Sequence, residues 1–277
     1  MTSDTCFVYS LTYFFGVFCA VSVTNCHHFI VDLEWVVCAC VCFYLEFCEL
    51  SIMTEADSVV KPIIRQMKYE EVEDSVKLFA KVGLYDSVST IQAYYETDPK
   101  GFVVAVDEES DKIVGCCASP VTTHDTAFVG LYAVDPSYQK LGLGVKMFNK
   151  CMDNVGDRNC GLSAVPSKFS VYKDRAGFKV VEGRSMVVIQ GKPLGISKLR
   201  STNKLKSNYH LAKVTGAEHH EDLIKSIIVF DKTVHLDNRE KLLRLTFAKP
   251  DTTTLAIVDS TCGKIVGYGC IRLDVCK

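Results

Sequence analysis

The stretch from Leu131 to Phe148 constrains this chain more than any other. A β-rich run, Ala127 to Val134, leads into Asp135-Pro136, and proline cannot continue a strand ladder. Gln139-Lys140-Leu141-Gly142-Leu143-Gly144 follows and opens an amphipathic helix that reaches about Asn154. Glycines let the main chain approach a ligand and aim successive N–H groups at it, and a helix start adds partial positive charge. The combination suits a diphosphate. Lys140 and Lys146 add screened attraction from the side. Two other phosphate-binding patterns are excluded. The Walker loop needs Lys and then Ser or Thr after its last glycine, and Gly144 is followed by Val145; the Rossmann fingerprint needs a third glycine where Met147 stands.

Around that stretch the chain alternates strand and helix signals. Lys61 to Met67 reads as a strand, Tyr69 to Val82 and Ser87 to Glu96 as helices, and Phe102 to Val106 with Ile113 to Ala118 as a hairpin with a polar tip. After the glycine loop and its helix come a short strand at Leu162 to Val165, a helix at Ser167 to Arg175, and a final hairpin over Phe178 to Ile189. The predicted fold class is mixed α+β, a mostly antiparallel sheet flanked by helices.

Composition divides the chain. Residues 1–53 hold five acids, no Lys or Arg, and seven of the 14 cysteines, whereas all 31 basic residues follow Met53 and leave the remainder weakly positive. That balance gives no general pull toward nucleic acid. The 18 uncharged residues from Cys6 to Val23 are long enough for a bilayer-spanning helix, but the missing Lys and Arg argue against an ordinary anchor or signal peptide. Residues 1–53 are therefore a membrane segment, a buried extension, or a leader foreign to the natural protein. Met53-Thr54-Glu55-Ala56-Asp57 resembles a cytosolic start, and a cytoplasmic location is expected unless the first segment is an anchor. Cys38, Cys40 and Cys42 lack the paired knuckle spacing of a zinc site, so no metal is expected.

These motifs resemble those of the GNAT superfamily of acyl-CoA-dependent N-acyltransferases. The resemblance rests on Ala133-Val134-Asp135-Pro136, on the loop Gln139 to Gly144, and on Tyr172-Lys173-Asp174-Arg175-Ala176-Gly177-Phe178, which is similar to the family's Tyr-x-x-x-Gly-Phe. It covers about Lys61 to Gln190. It implies a sheet whose fourth and fifth strands splay to admit the pantetheine arm of acetyl-CoA. It further implies that Val134 holds the thioester end, that the cofactor loop comprises Gln139, Lys140, Leu141, Gly142, Leu143, Gly144 and Val145, and that Tyr172 protonates the departing thiolate. Where the family often has Asn, seven residues before the tyrosine, this chain has Val165. His124, Asp125 and Tyr132 are the candidates for a base near the strand mouth, and water-relayed deprotonation needs none of them.

The expected domains are 61–191 for the N-acetyltransferase, 192–207 for a basic linker, and 208–277 for a partial second GNAT-like half. The last expectation comes from an internal echo: Lys112-Ile113-Val114-Gly115 and Val106-Asp107 recur as Lys264-Ile265-Val266-Gly267 and Val258-Asp259, 152 residues on. The second copy ends before any counterpart of the glycine loop. The functional expectation is transfer of an acyl group, acetyl first, to a small-molecule amine or amino acid by direct attack in a ternary complex; a protein amine is a further acceptor class. The alternative is a non-catalytic acyl-CoA-binding module, with membrane attachment through residues 6–23.

Overall fold

The computed structural model describes residues 18–20, 62–84, 86–181, 207–214 and 220–272. The membrane, leader and linker expectations for residues 1–53 and 192–206 lie outside these, apart from a backbone strand at 18–20.

The first half is a five-stranded sheet, β2 (Ile63–Gln66), β3 (Phe102–Asp107), β4 (Lys112–Ala118), β5 (Thr126–Val134) and β6 (Asn159–Leu162), hydrogen-bonded in that order. All pairs are antiparallel except β5 with β6. β3 is an interior strand and shows why the sequence layers as it does. Its side chains alternate, so Val103 and Ala105 face α3 (Leu143–Val155) while Phe102, Val104 and Val106 face α1 (Val72–Lys81) and α2 (Val88–Thr97). Burial on both faces explains its unbroken apolar run. α1 turns Val72, Ser75, Leu78 and Phe79 inward, a helical stripe. Ser87 starts α2, its Oγ accepting the Thr90 amide at 3.1 Å.

β5 breaks the alternation. Val129 packs with α3, yet Leu131 and Ala133 pack with α1 and α2, although a regular strand would keep all three on one face. An irregularity lies between the pairs Cys116↔Ala133 and Ala118↔Gly130, and Leu131 adopts φ 44° there. This bulge turns Tyr132 and Val134 toward α3.

The second half is β7 (Tyr209–Val214), α4 (Glu221–His235), α5 (Glu240–Phe247), β8 (Thr252–Asp259) and β9 (Ile265–Arg272), with sheet order β7-β8-β9. The far edge of β9 carries β1 (Phe18–Ala20), Ala20 lying opposite Tyr268. The two halves share element order, and the β3–β4 register recurs in β8–β9. β3 and β4 slip between Ala105 and Val106, and β8 and β9 slip between Ile257 and Val258. The hairpin tips use Asp107 and Asp259 alike, each carboxylate accepting the amide two residues on.

Three expectations are corrected. The strand placed at Leu162–Val165 is Asn159–Leu162, because its parallel pairing begins at Thr126↔Asn159. The helix expected over Ser167–Arg175 is present, but it runs from a 3₁₀ turn at Pro166–Lys168 through residues 169–170 into a π-helical turn at Val171–Arg175 rather than as a regular α-helix. Residues 178–181 form no strand, and the remainder of the expected hairpin at Phe178–Ile189 lies outside the described residues. Among the described residues no helix is long and apolar enough to cross a membrane.

Candidate functional site

The site begins where β5 and β6 part. β6 accompanies β5 only from Thr126 to Val129, so residues 130–134 continue past the bulge without β6 alongside. The end of β5 is pinned from several sides. The Asp135 amide donates to Val114 O at 2.8 Å, its Oδ1 caps the Pro136–Tyr138 turn through the Ser137 amide, and its Oδ2 meets Lys81 Nζ at 2.6 Å. The Lys81 hydrogen bond holds the Asp135 carboxyl below its ordinary range. Gln139 reaches back to donate Nε2–H to Val134 O at 3.1 Å, and Tyr138 donates its hydroxyl to Asp107 at 2.6 Å.

The chain then turns through Lys140 (φ 67°) and Gly142 (φ 75°) into α3. A left-handed residue just before a helix is easiest for glycine. Having no side chain, Gly142 leaves the first amides of α3 uncapped, and the first turn holds no acid. Leu143 and Met147 lock the helix against the sheet, both buried. Gly144 leaves room for Tyr132: a Cβ there would lie 2.7 Å from the Tyr132 hydroxyl. The bulge in β5 thus aims Tyr132 at the start of α3, and Gly144 makes room for it. The result is a shallow, amide-lined cradle, with Leu141 and Val145 exposed beside it. An anion of diphosphate type fits its donor set.

Across α3 lies an aromatic group. Phe148 stands 6.1 Å from Tyr132 and 6.4 Å from both Tyr172 and Phe178, centroid to centroid. Tyr172 belongs to the π turn, which closes through Phe178 N–H to Tyr172 O at 3.1 Å. It is half-buried, and burial pushes its hydroxyl up to about 12. Burial likewise raises Tyr132. Both are therefore neutral near pH 7 and can donate protons.

The structure gathers the expected loop residues, Val134 and Gln139 to Val145, at one end of β5, with Tyr172 beside the same aromatic cluster. Val165 is exposed at the start of the 3₁₀ turn. Two base candidates lie elsewhere. His124 and Asp125 pair with each other at 2.6 Å, largely in solvent, at the beginning of β5. The nine residues of β5 put roughly 25 Å between them and Val134. The thiols of Cys116, Cys117 and Cys160 are unsuited to nucleophilic work. Burial pushes Cys116 up to about 12 and Cys160 up to about 11, and contact with Cys151, then burial, raises Cys117. Among the described residues no cluster of three or more His, Cys, Asp or Glu is arranged to hold a metal.

Sequence reading missed the Lys81–Asp135 pair, 54 residues apart, and the place of Asp86. Burial pushes the Asp86 acid up to about 6 despite the Ser87 amide and nearby Arg272.

Residues 64–168 match the model of the acetyltransferase (GNAT) family. This segment is a GNAT domain. Solved structures resemble the chain at low identity. A provisionally named acetyltransferase from Pyrococcus horikoshii shares 17% identity over 79% of this chain and 83% of its own, with TM-score 0.48. Glucosamine-6-phosphate N-acetyltransferase from Arabidopsis thaliana shares 15% over 47% and 97%, with TM-score 0.35. A GNAT family N-acetyltransferase from Escherichia coli in complex with CoA shares 17% over 43% and 71%, with TM-score 0.33. No curated protein matches the sequence. The GNAT domain thus spans β2 to the 3₁₀ turn after β6, and the glycine cradle lies within it.

Proposed function

We propose that the chain is an acyl-CoA-dependent N-acyltransferase, with acetyl-CoA as donor and a small amine or amino acid as acceptor. The observation that carries this reading is the uncapped start of α3, kept free of side chains by Gly142 and Gly144, at the end of β5 where it runs on past β6. The amides of Leu143, Gly144 and Val145, with the turn through Leu141 and Gly142, receive the pyrophosphate of the donor. Lys140 and Lys146 add long-range attraction, and the backbone at Val134 faces the thioester end.

The chemistry then needs few side chains. The acceptor nitrogen attacks the thioester carbonyl, a C–N bond forms and the C–S bond breaks. Tyr172 supplies its hydroxyl proton to the leaving sulfur, and the proton shed by the nitrogen restores it. A hydroxyl that ionises only at about 12 is reliably protonated for this task at neutral pH. No base is assigned to His124 or Asp125, which sit at the wrong end of β5; water relays the proton from the amine. The domain expectations are carried forward as part of the proposal: 61–191 acts, 192–207 links, and 208–277 supports.

Incubation of the full chain with acetyl-CoA and a panel of amines is expected to release free CoA thiol. No release, together with no thermal stabilisation by acetyl-CoA, overturns the proposal. A second reading, a non-catalytic acyl-CoA-binding module, is favoured by the exposed Val165. It predicts stabilisation without turnover.

A further inference from the structure

We infer that the second half docks on the GNAT domain as a second copy of its own β-α-α-β-β unit, across an internal two-fold axis passing between α2 and α5. This inference does not depend on acyl transfer.

From α2 to the last strand the two units correspond residue by residue. With an offset of 152, Val88 at the start of α2 corresponds to Glu240 at the start of α5. Ile91 and Tyr95 pack on the first core, and their counterparts Leu243 and Phe247 pack in the second. The slip after Ala105 matches the slip after Ile257, and Asp111 (φ 52°) matches Gly263 (φ 69°) at the two hairpin tips.

The contacts between the halves use this same equivalence. Ser89, near the start of α2, donates to Asp251, just beyond the end of α5, at 2.5 Å. Lys241, the counterpart of Ser89, reaches Thr97 O at the end of α2 at 2.8 Å. Lys249, the counterpart of Thr97, pairs with Glu96 at 2.7 Å. Each helix therefore presents its start to the other's end and uses the same face to do so. Ala93 and Leu242 are buried on these faces, although neither belongs to its own half's apolar cluster. An arbitrary antiparallel helix pair would match ends but not faces. Matching both is the mark of an isologous interface, where residue i meets j and j meets i. The partner that fits the α2 face is thus another copy of this unit, and the chain carries that copy itself.

Two pairs of cysteine variants of the full chain test the symmetry: Thr97→Cys with Lys241→Cys, and its mate Ser89→Cys with Lys249→Cys. A short bis-maleimide and peptide mapping read the cross-links. Comparable cross-linking of both pairs is expected. Cross-linking of only one pair, or of neither, in samples with wild-type circular dichroism overturns the two-fold. Leu242→Arg is expected to raise amide exchange in α2 at least tenfold while leaving β3 and β4 protected; unchanged exchange in α2 rejects the docking. Should that variant not fold, the exchange Glu96→Lys with Lys249→Glu decides. Each single change lowers Tm and the pair restores most of the loss, whereas purely additive losses reject the contact.

Discussion

The first and second halves build the same strand-helix-helix-strand-strand frame and part company at its last strand. β4 passes into β5, whose bulge at Leu131 aims Tyr132 at Gly144 and leads to the cradle and α3. Among the described residues the equivalent edge of β9 carries the three residues of β1, with Ala20 opposite Tyr268 where Ala133 lies opposite Cys116. Every residue proposed to touch donor or acyl group lies in 134–172, after the shared frame. On this proposal the frame is structural support, and binding capacity resides in the continuation. The frame braces the corner where that continuation begins: Lys81 and the Val114 carbonyl hold Asp135, and Asp107 holds the Tyr138 hydroxyl.

The sharpest test of this contrast alters one turn in each half. Gly142→Asp places a carboxylate at the start of α3, beside the amides proposed to receive the pyrophosphate. Acetyl-CoA affinity is expected to fall at least a hundredfold, about 3 kcal/mol or more, by calorimetry. Gly263→Asp in the second half puts the same residue at a turn whose counterpart is already Asp111, so affinity stays within twofold. Comparable losses in both would mean that the donor contacts both halves.

Tyr172→Phe separates chemistry from binding inside the continuation. Loss of the proton donor is expected to lower kcat about a hundredfold, in the usual range for one general acid, with acetyl-CoA affinity nearly unchanged. Unaltered turnover would leave the aromatic cluster as packing alone and shift weight to the non-catalytic reading.

Asp86 tests whether the two frames are coupled. It precedes α2, and Arg272 of the second half is among the charges acting on it. Its folded pKa, about 6, lies above its ordinary value of 3.8, so the native state holds this proton more tightly than the unfolded chain. That stabilisation is complete below about 3.8 and is lost as pH rises through about 6. Between pH 4 and 7 the wild type should therefore lose on the order of 2 kcal/mol more stability than Asp86→Asn, read from urea titrations at both pH values. Parallel pH dependence in the two proteins would mean that Asp86 is open to water and the halves do not meet around it.

Much of this arrangement is legible in the sequence because it is written in backbone chemistry. Pro136 must end β5, and the glycines at 142 and 144 must mark a close turn, wherever the rest of the chain lies. The frame of the second half is legible for a similar reason, since Lys264-Ile265-Val266-Gly267 reads like Lys112-Ile113-Val114-Gly115. The bulge is not legible: apolar Ala127, Val129, Leu131 and Ala133 look like an unbroken alternation, and only the pairing with β4 shows that the strand changes face. Tyr132 therefore read as a base candidate rather than as the group for which Gly144 leaves room. His124 and Asp125 looked close to the mouth because ten residues of sequence separate them from Val134, but an extended strand turns that short interval into the length of the sheet. The meeting of Ser89 with Asp251 crosses 162 residues and leaves no local trace.

The smallest expected effect concerns Lys146, and it decides whether main chain or side chain holds the donor. Lys146 sits on the exposed face of the first turn of α3, its amide donating to Gly142 O at 3.2 Å. If the amides form the principal contact, its ammonium acts only through solvent, where 0.15 M salt screens charge over about 8 Å. Lys146→Gln should then weaken acetyl-CoA binding only about two- to threefold at low ionic strength, and the difference should vanish in high salt. A direct phosphate contact would behave otherwise, since a charge-assisted hydrogen bond is worth roughly 1.5–3 kcal/mol and is less easily screened. A tenfold loss that persists in high salt would therefore move the principal contact from the turn at Gly142 to the side chains of α3. The contrast between the halves would then rest on where lysines fall, rather than on how the main chain bends after the shared frame.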